Sequence, residues 1–331
     1  MVSHIEALAA VVVICFLPGE VPSIRLLMLR LGKSLLRIAA LLLGCAAAQA
    51  QDLEPRAYSN SPVGLNFLVA GYAFSQGGLS TDPSLPVQDA RLEIHTAVLA
   101  YARALNLWGK SGKFDVILPW SDLSGSALVA GVQRERMVSG FGDPRFRVSV
   151  NLYGAPALSP AEFAAYRRDL VVGASVQVSA PGGQYDSSRL VNIATNRWSV
   201  KPDIGFAKTF GRLTADATAG VTYYSANDDY FGGNRLEQEP IYSVQAHLSY
   251  DLGSGVWAGI GATYYSGGRT TQNGVRNNDA LDNSRAGATL TLPVDRHNSL
   301  KFSFSRGVTT RIGTSFDTLA VAWQYRWGEG F

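Results

Sequence analysis

Apolar and polar residues alternate along most of the chain after about residue 64. In the last segment Leu319, Val321 and Trp323 occupy one face of an extended backbone, and Ala320 and Ala322 occupy the other. Such period-two alternation is typical of β-strands with one apolar face. It predicts an all-β protein with twelve strands, at 64–74, 89–105, 113–121, 139–152, 168–180, 197–210, 212–226, 240–252, 255–266, 283–294, 298–307 and 315–328.

The connections between these segments alternate in length. Short turns lie at 210–212, 252–255 and 295–297, and long polar loops at 75–88, 122–138, 181–196, 227–239 and 267–282. An even strand number, with short turns at one end and long loops at the other, predicts a transmembrane antiparallel up-and-down β-barrel of the outer-membrane type. Strands of about ten residues are long enough to cross a bilayer at a tilt.

A secreted β-sandwich would also alternate, and the aromatic residues argue against it. They gather near segment ends, as interfacial girdles require: Trp120, Trp198, Tyr223, Tyr224, Tyr264, Tyr265, Trp323, Tyr325 and Trp327. The chain also ends in an aromatic strand with Phe331 last, the usual form of a barrel-assembly signal, although 328–330 interrupts the alternation. We therefore expect outer-membrane lipid and the barrel-assembly machinery as partners.

One connection breaks the rule of short turns. Residues 153–167 fall where a short periplasmic turn is expected, and Ser159, Pro160 and Glu162 form the start signal of a helix. The sequence predicts a short periplasmic-side helix at 160–166. It leaves open whether this helix lies under the barrel mouth or folds inward as a plug.

The first 50 residues predict a cleaved signal peptide. Basic residues precede the apolar run 38–48, which ends on the small-x-small motif Ala48-Gln49-Ala50. Cleavage after Ala50 would leave 51–331 as the outer-membrane barrel, exported by a Sec-type route. Met28 is a better start than Met1, because Glu6 and Glu20 interrupt the apolar stretch before it.

Cysteine and charge limit the remaining classes. Cys15 and Cys45 are the only cysteines, so disulfides and thiolate chemistry are excluded after residue 50. A rival interpretation is that 42–45 forms a lipobox with Cys45 lipidated. A formal net charge of +3 and a charged fraction of 17% are too small for a nucleic-acid-binding surface.

No motif predicts an enzyme or a cofactor. Residues 104–111 fit a relaxed P-loop pattern, but a strand follows where a helix is needed. The acidic loop from Asn227 has Gln238 where a calcium loop needs glutamate, which leaves only an adventitious calcium site beside a solvated turn. His95, His247 and His297 lack zinc-site spacing, and His297-Asn298-Ser299 only loosely resembles the His/Ser arrangement of outer-membrane phospholipases.

The polar face of each predicted strand indicates the lumen. If the apolar face meets lipid, basic residues exceed acidic ones inside. This fits either charge pairs that fill a closed barrel or a weakly anion-preferring solute path. The predicted lumen residues are Arg91, Glu93, His95, Arg103, Asp115, Arg145, Arg147, Gln177, Lys201, Asp203, Asp216, Gln245, His247, Arg285, Lys301 and Arg326.

Several motifs carry a family resemblance over essentially all of 60–328. They are GFGDP at 140–144, GAPAL at 154–158, SAPGGQY at 179–185, NRW at 196–198, YSVQAH at 242–247, GGRTT at 267–271 and SRG at 305–307. In these motifs and their order the chain resembles the outer-membrane transporter family named for the meta-pathway of phenol degradation. Pro-Gly-Gly at 181–183 departs from the Pro-Thr-Gly expected there.

The resemblance implies a barrel that moves aromatic or other small hydrophobic compounds, and it brings no binding residues. The leading hypothesis is passive uptake of such solutes across a Gram-negative outer membrane. The alternatives are a closed structural or surface-interaction barrel and, third, an outer-membrane hydrolase.

Overall fold

The computed structural model describes residues 54–80 and 87–328. The predicted signal peptide, its cleavage site after Ala50, the alternative at Cys45 and the terminal Phe331 lie outside these residues and stay predictions. No helix in the described residues is long and apolar enough to span a membrane.

The described chain is built almost entirely from strands. They are β1 (Asn66–Ser80), β2 (Val87–Leu107), β3 (Lys110–Val129), β4 (Val132–Phe141), β5 (Arg145–Tyr153), β6 (Leu170–Ser179), β7 (Ser199–Phe210), β8 (Leu213–Tyr224), β9 (Asn227–Tyr230), β10 (Asn234–Gln238), β11 (Ile241–Gly253), β12 (Val256–Gly267), β13 (Thr270–Gln272), β14 (Val275–Arg276), β15 (Leu281–Pro293), β16 (Asn298–Thr310) and β17 (Gly313–Trp327). One helix, α1, spans Pro160–Phe163.

The strands close into a barrel. β1 pairs antiparallel with both β2 and β17, and β2 pairs with β3, so the sheet has no free end. β4 and β5 both pair with β3, one after the other along its length, and so share one position in the wall. The wall therefore has twelve strand positions, which confirms the predicted antiparallel barrel. The predicted strand at 139–152 spans the break between β4 and β5.

Period-two alternation separates the two faces of the wall. Val321 lies between Tyr72 and Phe302 in one cross-strand row, and all three side chains are exposed on the outer surface. The inward positions of β11 are small or polar instead, and Ser249 is completely buried. An apolar exterior over hydrogen-bonded strands is the arrangement that lipid demands.

The two ends of the barrel differ, as the connection lengths predict. Short turns such as 211–212 and 295–297 mark one end, here called the turn end. At the opposite loop end, β9, β10, β13 and β14 form a separate four-stranded sheet above the wall. The predicted adventitious calcium loop becomes the β9–β10 hairpin of this sheet. In the described residues, no group of three or more histidine, cysteine, aspartate or glutamate residues is placed to hold a metal ion.

The wall is interrupted beside β4. Among the described strands β4 pairs only with β3, and the chain from 180 to 198 lies along its other side. That side has isolated hydrogen bonds in place of a strand ladder. The backbone N–H of Gln184 donates to the Phe141 carbonyl at 2.7 Å, and Arg136 Nε donates to the Val191 carbonyl at 3.1 Å. A loop therefore closes this part of the barrel.

Helix α1 lies where the sequence predicts it and is shorter than the expected 160–166. Ser159 and Glu162 form a reciprocal capping box, and Pro160 takes the first position. None of its residues is buried, so α1 lies at the turn end and does not fill the barrel.

Candidate functional site

The segment that fills the barrel is the chain just before β1. Residues 54–60, here called the plug segment, contact inward-facing side chains of β5, β7 and β11. Tyr58 and Asn60 are both buried. Because β5 and β11 lie four strand positions apart in the twelve-position wall, the plug segment spans part of the lumen.

Glu54 anchors the plug segment to β5. Its carboxylate accepts two hydrogen bonds from Arg147, at 2.5 and 2.9 Å, and Arg147 Nε donates to Asp115 at 3.0 Å. Burial by itself would raise the pKa of Glu54, but the Arg147 guanidinium holds that pKa well below its usual range. Arg147 is thus shared between the plug segment and the barrel wall.

Arg56 anchors the segment to β11 and β12. Its Nε donates to Ser249 Oγ at 2.9 Å, and its guanidinium lies 4.5 Å from the centre of the Trp257 ring. The Arg56 amide points at Asp216, whose carboxylate also bonds Nδ1 of the buried His247 at 2.9 Å. The Arg56 side chain is thus held by a hydrogen bond to Ser249 and a cation–π interaction with Trp257.

Tyr58 makes the third attachment. Its hydroxyl donates to Asp203, and its ring lies against Gly173 and Gly205, which are paired across β6 and β7. Burial, followed by the hydrogen bond to Asp203, raises the pKa of the Tyr58 hydroxyl above its usual range. These three attachments use wall side chains, and Asn60 Nδ2 adds a fourth by donating to the Pro156 carbonyl at 3.2 Å, so the plug segment is held without joining the sheet.

A second feature of the lumen lies towards the loop end. Leu92, Ile94, Leu123, Val191 and Phe316 form a buried cluster, here called the apolar cluster. Val138 and Ile193 pack against it. The inside of the barrel is thus filled by packed apolar side chains towards the loop end and by the polar plug contacts towards the turn end.

Most of the predicted lumen residues occupy inward positions. By burial and register the structure places the following on the inner face: Asp115, Arg145, Arg147, Gln177, Lys201, Asp203, Asp216, Gln245, His247, Arg285 and Lys301. Arg326 shares the face of Ala322 but lies at the turn-end rim, where its Nε donates to the Arg296 carbonyl at 2.7 Å.

The predicted lumen position is wrong for four residues, which all lie on the outer face of β2: Arg91, Glu93, His95 and Arg103. The prediction assumed that the apolar face of every strand meets lipid. On β2 the inward residues include Leu92 and Ile94, because they pack in the apolar cluster. β2 has 21 residues, far more than a bilayer requires, so Arg91 and Glu93 lie in its extension towards the loop end.

His95 and Arg103 have no contact with the lumen either. His95 bonds the Tyr72 hydroxyl at 2.5 Å and Glu93 at 3.1 Å, both on the outside of the wall. Arg103 lies four positions before the end of β2 at Leu107, near the turn end. His297 also lies at the turn end, where its Nδ1 bonds the Arg326 carbonyl at 3.0 Å.

Sequence reasoning missed Glu54, Arg56 and Tyr58 because they precede the first strand and follow no periodic pattern. It also missed Trp257, whose ring faces inward under Arg56. One signal was available: Gly173 and Gly205 interrupt apolar strands at positions where a side chain would be expected.

The geometry defines an outer-membrane β-barrel with an internal plug. Residues 73–323 match the family model described as "Putative MetA-pathway of phenol degradation", and the chain belongs to that family. An outer membrane channel from Pseudomonas putida F1 is similar, with 22% identity, a TM-score of 0.72, and coverage of 83% of this chain and 100% of the channel.

The transport unit of the autotransporter AIDA-I from Escherichia coli is also similar, with 8% identity and a TM-score of 0.50 over 89% of this chain and 97% of that unit. No curated protein matches the chain by sequence. At these identities the structural likenesses establish the fold.

Proposed function

We propose that the protein is an outer-membrane channel for the passive uptake of small aromatic or other hydrophobic compounds. The observation that carries this proposal is the division of the lumen, with an apolar cluster at the loop end and a side-chain-held plug towards the turn end. The cluster is buried in this structure, and a hydrophobic solute that displaced its loop residue Val191 would gain free energy on leaving water for the remaining side chains. The family description and the similarity to an outer membrane channel from Pseudomonas support the same class of function.

The plug segment is the gate of this channel. It is attached through side-chain contacts of Glu54, Arg56, Tyr58 and Asn60, so it can leave the lumen without breaking the sheet. A structural barrel needs no such detachable segment. The interruption beside β4 offers apolar solutes a lateral exit through the wall, besides the path along the lumen. No strand ladder has to be broken there.

Flux through reconstituted protein tests the proposal. Liposomes that contain the full mature chain should admit small aromatic compounds faster than sugars of equal size. A variant lacking 54–60 should admit both faster. If neither protein admits any aromatic compound, the closed structural barrel replaces the channel.

A further inference from the structure

A polar groove lies on the outer face of the barrel near the loop end. It has a volume of about 970 Å³ and runs across β1, β2, β3, β4, β16 and β17. Outward-facing residues line most of it, and the inward-facing Gly77, Gly125 and Gly307 contribute backbone atoms. This surface therefore has room for a ligand.

The groove begins where the lipid-facing surface ends. On β1, β16 and β17 the outward positions change from apolar to polar within two residues: Phe74 to Gln76, Phe304 to Arg306 and Leu319 to Asp317. Two residues of a strand span about 7 Å, and the headgroup layer of a bilayer is about 5–8 Å thick on each side. Because the long loops of such barrels face the cell exterior, the groove lies at the level of the outer-leaflet headgroups.

The charges of the groove are mixed. Two arginines and four carboxylates line it: Arg91, Arg306, Asp89, Glu93, Glu135 and Asp317. Arg306 and Asp317 neutralise each other through two hydrogen bonds, at 2.9 and 2.8 Å. The Arg91 guanidinium makes no hydrogen bond or ion pair with another described residue. The excess of carboxylates disfavours a simple anion, and the free guanidinium disfavours a simple cation.

A phosphorylated sugar matches this lining. Sugar hydroxyls donate hydrogen bonds to carboxylates, and a free guanidinium binds a phosphate group through two parallel hydrogen bonds. Arg91 pairs with Ser126 across β2 and β3, and Ser126 pairs with Glu135 across β3 and β4. Because neighbouring strands lie about 5 Å apart, the guanidinium and this carboxylate can serve one headgroup.

Small residues leave space around Arg91. It pairs with Gly78 on β1 and with Ser126 on β3. A Cβ at Gly78 would meet only the Ala90 carbonyl, at 3.7 Å, so the wall itself does not require glycine there. A longer side chain at this outward position would extend into the groove and reduce its volume.

We propose that the groove binds the phosphorylated sugar headgroup of a glycolipid, with the acyl chains of this lipid against Phe74, Phe304 and Leu319. Such glycolipids form the outer leaflet of Gram-negative outer membranes. The groove is continuous with the lipid-facing surface, so a membrane lipid reaches it without leaving the bilayer. This interaction goes beyond the proposed uptake function and does not depend on it.

Binding of rough lipopolysaccharide, labelled with a fluorophore on its core sugars, to the purified full mature chain tests the site. Fluorescence anisotropy in detergent measures the affinity. Arg91→Gln removes the charged donor to a phosphate and should weaken binding about tenfold. Gly78→Gln fills the groove without straining the wall and should weaken binding at least as much.

Arg103→Gln is the matched control. Arg103 lies on the same face of β2 as Arg91 but near the turn end, so its substitution should leave binding unchanged. Phosphatidylglycerol, which has the phosphate charge without the sugar, should not displace the labelled glycolipid. Sugars released from the same glycolipid by mild acid should compete only weakly, because they lack acyl chains. A heat-dependent shift in gel mobility shows that each variant forms the barrel.

Three results would overturn the proposal. Equal affinity in wild type, Arg91→Gln and Gly78→Gln would exclude the groove as the binding site. Displacement by phosphatidylglycerol, or by free sugars as effectively as by the whole glycolipid, would exclude a glycolipid headgroup as its ligand. If the wild type is a dimer in detergent and Gly78→Gln dissociates it, the groove binds a second copy of the chain instead. The uptake function is judged separately, by flux into liposomes.

Discussion

The ring of Tyr58 occupies the space that a side chain at Gly173 would need. A Cβ on Gly173 would lie 2.1 Å from Tyr58 Cδ1, far inside van der Waals contact. Gly205, the cross-strand partner of Gly173, is equally restricted, since its Cβ would lie 2.5 Å from Tyr58 Cε2. The wall and the plug segment are therefore complementary at this point.

We predict that Gly173→Val displaces the plug segment and increases conductance. Valine suits a strand, so the barrel should still form, while its side chain excludes the Tyr58 ring. Planar-bilayer recording measures the change. Gly71→Ala is the control, because a Cβ at Gly71 meets its nearest neighbour at an ordinary 3.5 Å. If the Gly173→Val variant conducts like the wild type, the proposal that the plug segment gates the channel is wrong.

Glu54→Gln should also open the channel. It removes the charge from a carboxylate that bonds Arg147 twice, while Arg147 keeps Asp115 and the wall stays intact. Because the Glu54 carboxylate is partly exposed, we expect the closed state to lose only about 1–2 kcal/mol of stability. This loss would raise the open population roughly 5–30-fold. Tyr166→Phe, which changes an exposed bond outside the lumen, is the control.

The low pKa of Glu54 predicts how the proposed gate should respond to acid. A carboxyl group whose folded pKa is depressed stabilises the closed state above its ordinary pKa, about 4.3, and loses that contribution only as pH falls through the depressed value. Conductance should therefore stay constant from pH 7 to pH 5 and rise only in stronger acid. Opening between pH 7 and pH 5 would show that Glu54 is not the controlling contact.

The two faces of β17 should respond differently to arginine. Val321 faces lipid between Tyr72 and Phe302, so Val321→Arg should cost about 2–4 kcal/mol near the membrane midplane. Ala322 faces inward between Gly71 and Lys301, and Ala322→Arg should cost less. Urea unfolding in lipid vesicles measures the free energy of unfolding of both variants. Equal losses would contradict the assignment of the faces.

The open channel should prefer anions. On the inner face Lys113, Lys201 and Lys301 add to the arginines, and Asp115 and Asp216 are already bonded to Arg147 and His247. In a variant lacking 54–60, the reversal potential in a salt gradient should show anion preference that weakens at high salt. Adding Lys201→Gln and Lys301→Gln should lower that preference. A cation-selective channel would contradict this prediction.

The barrel could be predicted from local patterns in the chain. Alternation like that of Val321 and Ala322 is a local property that lipid on one side imposes, and the connection lengths define the two ends. The capping box of Ser159 and Glu162 likewise placed the short helix without knowledge of the rest of the chain. These features depend on neighbouring residues alone.

What fills the barrel depends on contacts between segments that are distant in sequence. Residues 54–60 carry no periodic signal, and their partners Arg147, Asp203 and Ser249 lie far away in sequence. The outward positions of Arg91 and Glu93 have the same origin, because Leu92 and Ile94 turn inward to meet Val191 and Phe316. Alternation predicts that a strand has two different faces. Which of them points inward depends on the packing of distant segments.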